Sequence, residues 1–68
     1  MITIEEACRK LEKKYEMYVD SGDITIEVTP KRKFICIYVY YRRVYDMFRD
    51  IDEYKGHPVQ VITLWDLV

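Results

Sequence analysis

The stretch that most constrains this chain is Phe-Ile-Cys-Ile-Tyr-Val-Tyr-Tyr at positions 34–41. Successive side chains of a strand point to opposite sides. Read as a strand, this one is apolar or aromatic on both, a pattern of burial from two directions. Ile35, Ile37 and Val39 suit a core beneath helices. Phe34, Cys36, Tyr38 and Tyr40 need a second cover, which a chain of 68 residues has little remaining material to supply. A partner is therefore expected on that side.

The surrounding pattern gives one small domain, 1–68. Thr3-Ile4-Glu5-Glu6 has capping-box spacing. Ile4, Ala7, Cys8, Leu11, Tyr15 and Tyr18 follow one helical face, predicting a helix from about 4 to about 18. Asp20-Ser21-Gly22-Asp23 turns the chain. Ile24, Ile26 and Val28 then alternate with Thr25, Glu27 and Thr29, the signature of a half-buried strand. Pro30-Lys31-Arg32-Lys33 makes a turn into the 34–41 strand. Val44, Met47, Phe48 and Ile51 predict a second helix over 42–53, closed by Gly56, and Pro58 opens a last strand at 59–65. The fold class is α+β, in the order α-β-β-α-β. It has a three-stranded mixed sheet whose second and third strands are parallel, with both helices on one face.

That layout resembles small αββαβ modules, some of which sit ahead of trypsin-like serine peptidase domains. The ending Tyr54-Lys55-Gly56-His57-Pro58-Val59-Gln60-Val61-Ile62 is similar to their helix-Gly-x-Pro-Val-x-Val close, and with the preceding hydrophobic hairpin the resemblance spans roughly residues 23–62. It implies a fold and no catalytic residue. The layout also resembles a ferredoxin-like fold lacking its first strand.

Composition narrows the function. A net charge of −1 argues against a general polyanion binder. Cys8 and Cys36 are too few for a disulfide scaffold and fall on apolar faces, which suits buried thiols in a reducing compartment. With no leader pattern and no long apolar run, the chain is expected to be soluble and cytoplasmic. Its apolar ending, Trp65-Asp66-Leu67-Val68, is expected either to pack on something or to lead into a longer host chain, of which this would be the first domain.

No reaction can be read from the residues. His57, the one histidine, has no nucleophile or base beside it in sequence and reads as an exposed turn residue. Asp46, Asp50, Asp52 and Glu53 are interleaved with Arg42 and Arg49, as on a solvated charged face. Two cysteines and one histidine supply no paired metal-ligand spacing, so neither metal nor cofactor is expected. A typical ligand site of about 300 Å3 or more hardly fits a three-stranded sheet with two helices.

Two readings remain. In the first, the chain is a non-enzymatic interaction module that self-associates, as a dimer, through Phe34, Cys36, Tyr38, Tyr40, Ile62 and Leu64. Together these would expose an apolar patch of several hundred Å2, near the limit for a monomer. In the second, the same aromatic face stacks nucleic-acid bases between two basic clusters, Lys31-Arg32-Lys33 and Arg42-Arg43. Those clusters lie at opposite ends of one strand, roughly 30 Å apart at about 3.3 Å per residue. Arg42 and Arg43 also open a helix, where the dipole disfavours cations; that local conflict marks either a site or, as the more ordinary outcome, guanidinium groups that reach away to Asp or Glu.

Overall fold

A computed structural model describes residues 1–65; Asp66, Leu67 and Val68, and with them the expectation for the chain's ending, lie outside the described residues. Helix α1 spans Ile4–Lys14. The Glu6 amide donates to Thr3 Oγ1 at 3.1 Å, filling one of the amides that a helix start leaves unpaired. Acidic side chains occupy its first turn and basic ones its last, matching the helix dipole. Glu5 does not pair with Arg9 along the helix; it meets Arg32 from the hairpin turn.

The first helix is shorter than its periodicity predicts. It breaks at Tyr15 (φ −111°, ψ 30°) and restarts as α2, Glu16–Asp20. Past the break Tyr15 and Tyr18 both set their rings edge-on to Phe48, with centroids 4.9 and 5.8 Å apart, so tertiary packing prevails over helix continuity. Gly22 closes α2 at φ +83°. Its amide donates to the Val19 carbonyl, and the Asp23 amide to that of Tyr18, the paired bonds of a Schellman ending.

Four strands follow: β1 (Ile24–Val28), β2 (Ile35–Val39), β3 (Glu53–Tyr54) and β4 (His57–Thr63), in the sheet order β1-β2-β4-β3. β1 and β2 are an antiparallel hairpin, and β2 and β4 are parallel, with Ile35 opposite Val59 and Val39 opposite Thr63. The sheet therefore has four strands rather than the expected three. The extra one, β3, replaces the end of the second predicted helix. What forms there is a 3-10 turn at Arg42–Val44 and a single turn of α-helix, α3, at Tyr45–Phe48, neither with a side-chain cap. Glu53 and Tyr54 instead pair with Pro58 and His57. Lys55 (φ +53°) and Gly56 (φ +85°) join them as a two-residue turn with two left-handed positions, which glycine at the second favours. Gly56 thus closes a hairpin, not a helix.

The core lies on one side of the sheet. Ile24, Ile26, Ile35, Ile37, Val39 and Val59 pack there with Ala7, Cys8 and Leu11 of α1 and with Val44 and Phe48 of the crossover. Phe48 is wholly enclosed. Truncating such a side chain to alanine costs about 3–5 kcal/mol, and a chain this small carries only about 3–5 kcal/mol in all. Phe48→Ala is therefore expected to lack a cooperative thermal transition by circular dichroism. Gly22→Ala meets open space and only the backbone cost of its positive φ, about 1–2 kcal/mol; it should still melt cooperatively, at lower temperature.

Candidate functional site

Alternation along β2 and β4 sends a second set of side chains to the side without helices. Phe34, Tyr38, Ile62 and Leu64 are half-buried there and Tyr40 is 38% exposed, and none belongs to the core cluster. The ladder arranges this face in rows. Glu27, Cys36 and Gln60 lie side by side across three strands; Thr25, Tyr38 and Ile62 form the next row. The Leu64 amide donates to the Val39 carbonyl, which carries Leu64 up beside Tyr40. The five apolar or aromatic side chains thus share one surface, as their spacing predicts.

Cys36 departs from the expectation. It is neither beneath a helix nor open to a partner: only 3% of it is exposed, and the core cluster does not include it. Phe34 and Tyr38 flank it along the strand, and Glu27 and Gln60 flank it across the ladders. A small side chain at the middle of a sheet is roofed by its longer neighbours. Cys36 is thus the floor of the face rather than a contact on it. Glu27, Gln60 and Thr25 also make the surface less uniformly apolar than the six predicted contacts suggest. Thr25 Oγ1 and the Tyr40 hydroxyl lie 3.0 Å apart as a hydrogen bond. Partial burial, then neighbouring Cys36 and Glu27, raise the Tyr38 phenol above its ordinary value. The polar row was legible in the alternation of β1 once the hairpin register was known.

The five basic residues do not form one site. Lys31, Arg32 and Lys33 are exposed at the tip of the β1–β2 hairpin, where Arg32 (φ +57°) meets Glu5. Arg42 and Arg43 lie beyond the opposite end of β2. Arg43 reaches the buried Asp23 carboxylate at 2.7 Å and stacks over Tyr41. Arg42 lies over the Trp65 ring, 5.8 Å from its centroid, and Trp65 meets Tyr45 edge-on. These contacts relieve the conflict of two cations at a helix start: the element is a 3-10 turn, and the side chains point away from its dipole to a carboxylate and an indole.

His57 is not the exposed turn residue its Gly-His-Pro setting suggests. It begins β4, half-buried, with Nε2 donating to the Ile2 carbonyl at 2.8 Å. Arg49 pairs with Asp46 at 3.3 Å on the exposed side of α3. Among the described residues no group of histidine, cysteine and carboxylate side chains could hold a metal ion, and no helix is long and apolar enough to cross a membrane. Two shallow surface hollows follow the charged outer side of α1, between Arg9, Glu12, Lys13 and Glu16, with neither histidine nor cysteine lining them. Compared with protein-family models, with curated proteins and with solved structures, the chain finds no match in any of the three.

Both cysteines are buried free thiols. Burial, then the adjacent Glu12, pushes the Cys8 thiol from 9.0 up to about 11; its Sγ lies 3.7 Å from Glu12 Oε1. A thiol held protonated is a poor nucleophile. Between pH 9 and about 11 the folded chain keeps a proton that the unfolded chain releases, so stability falls as pH rises across that window. Denaturant titrations of wild type at pH 8.5 and 10.5 should show this loss, and Cys8→Ala should reduce it.

Proposed function

We propose that this chain is a non-enzymatic protein-interaction module that associates with a second copy of itself through the sheet face its helices leave uncovered. It does so either alone or as one domain of a cytoplasmic host protein. The observation that carries this reading is the set Phe34, Tyr38, Tyr40, Ile62 and Leu64, outside the core cluster and partly or largely open to solvent. Rigid aromatic rings with a polar tip are enriched where proteins meet. Two such faces stacked about 10 Å apart bury one another, and a two-fold axis closes the pair. Cys36 contributes the floor of this contact rather than a point of touch.

The nucleic-acid reading has less support. Arg32 and Arg43 are engaged by Glu5 and Asp23, and the two basic clusters sit at opposite ends of β2. It keeps a direct test, because phosphate contacts weaken steeply between about 50 and 200 mM salt.

Sedimentation of the purified chain decides between them. Wild type should sediment above the mass of one chain at micromolar concentration, equally at low and moderate salt. Tyr38→Asp should lower that mass while keeping the fold, since a carboxylate buried in a stacked apolar face carries a large desolvation cost. A wild-type chain that stays single at every concentration overturns the proposal. Binding of a fluorescent oligonucleotide at low salt, lost at moderate salt, would put the second reading in its place.

A further inference from the structure

We infer that the outer edge of β4 is a second contact, at which Val61 and Thr63 pair antiparallel with Thr63 and Val61 of another copy around a two-fold axis at Ile62. This rests on the proposed self-association for the identity of the partner, but it uses a different surface.

The direction of the β4 amides follows from two bonds. The Leu64 amide donates inward to the Val39 carbonyl, and the Val59 amide donates outward to the Asp52 carbonyl, both at 2.9 Å. Backbone groups alternate sides along a strand, so Gln60, Ile62 and Leu64 serve β2 while Val59, Val61 and Thr63 face the other way. β3 pairs only with His57 and Pro58. Next to Val61 and Thr63 the sheet order ends, and among the described residues neither amide makes a hydrogen bond on that side. Two residues, each half-exposed, thus present two donors and two acceptors to solvent.

The geometry selects the occupant. An added strand must be short, because β3 and Asp52 already fill the edge beside residues 57–59. The other edge of the same sheet, β1, is closed along most of its length: of the residues whose amides face outward there, Ile24 and Ile26 are 1% and 5% exposed, and Val28 alone is half-exposed. A second copy therefore offers β4 to β4, an isologous contact that closes on itself. Centred on Ile62, the pairing makes four backbone hydrogen bonds: each Val61 exchanges both of its groups with a Thr63. The two Ile62 residues form the closer, non-hydrogen-bonded pair between them, with Cα atoms about 4.5 Å apart. Their side chains meet on the uncovered face and join two such faces into one. That matters by area. Three strands about 4.8 Å apart and seven residues long cover roughly 300 Å2 in plan, well short of the roughly 800 Å2 per partner of a standard stable interface. Pairing the edges doubles the surface that can be stacked.

The test is amide hydrogen exchange by NMR together with sedimentation. In wild type at high concentration the Val61 and Thr63 amides should be protected, and dilution should release them while Ile62 and Leu64 stay protected by β2. Thr63→Pro removes an outward amide and no bond to β2, in a place where an edge strand tolerates proline; it should lower the associated mass at least twofold. Tyr38→Asp should leave Val61 and Thr63 protected at high concentration. Open-rate exchange at Val61 and Thr63 in a solution of associated chains, or an unchanged mass in folded Thr63→Pro, overturns the edge contact and leaves the stacked face standing. The reverse pattern, with mass lowered by Thr63→Pro and unaffected by Tyr38→Asp, retains the edge and overturns the face. Should Thr63→Pro fail to fold, the wild-type exchange pattern alone decides.

Discussion

Every other element of this protein depends on β2 being paired on both sides. β1 joins it through a hairpin of local sequence; β4 joins it in parallel after a crossover from residues 40 to 56. Ile35, Ile37 and Val39 are fully enclosed, at the centre of the one cluster that also takes in residues of α1, β1 and the crossover. β2 brings Ile35, Cys36, Ile37 and Val39 to burial, more than any other element; α1 adds Ala7, Cys8 and Leu11, β1 adds Ile24 and Ile26, the crossover Val44 and Phe48, and β4 Val59. A chain this short can cover one side of such a strand. The other is left to its own side chains, which roof Cys36 and go no further.

The parts legible in the sequence were those set by strict local periodicity. The alternation of residues 24–28 and the two-sided apolar run at 34–41 gave the antiparallel hairpin and the two sides of its second strand. The Thr3 cap was legible because capping is local chemistry. The second helix was misread for a related reason: Val44, Phe48 and Ile51 do face the core, as a helical spacing demands, but a short 3-10 and α turn followed by an irregular bend places them there equally well. Met47, on the same predicted stripe, is exposed. Lys55-Gly56 between Tyr54 and His57 carried the hairpin signal, and glycine at a helix end looks the same in one dimension.

The candidate surface was only partly legible. Periodicity names which side chains share a face; it does not say which of them stand proud. Cys36 lies in the right set and is nonetheless submerged, because exposure depends on neighbours across the ladder, Glu27 and Gln60, whose register is a tertiary fact. The open edge of β4 was hidden for the same reason, since it exists only because β3 is two residues long. Arg43 shows the converse: a residue that breaks a local rule did mark a contact, and the contact is internal, with Asp23.

The basic clusters that bracket β2 acquire a meaning from its order of pairing. A hairpin closes quickly, whereas a parallel strand must wait for the crossover to be laid down. Until β4 arrives, Ile35–Val39 presents an uncharged run of high β-propensity along a bare side, the composition from which fibrillar aggregates grow. Lys31, Arg32 and Lys33 stand at one end of that run and Arg42 and Arg43 at the other. Charges so placed disfavour in-register stacking of identical chains, as flanking gatekeeper residues do.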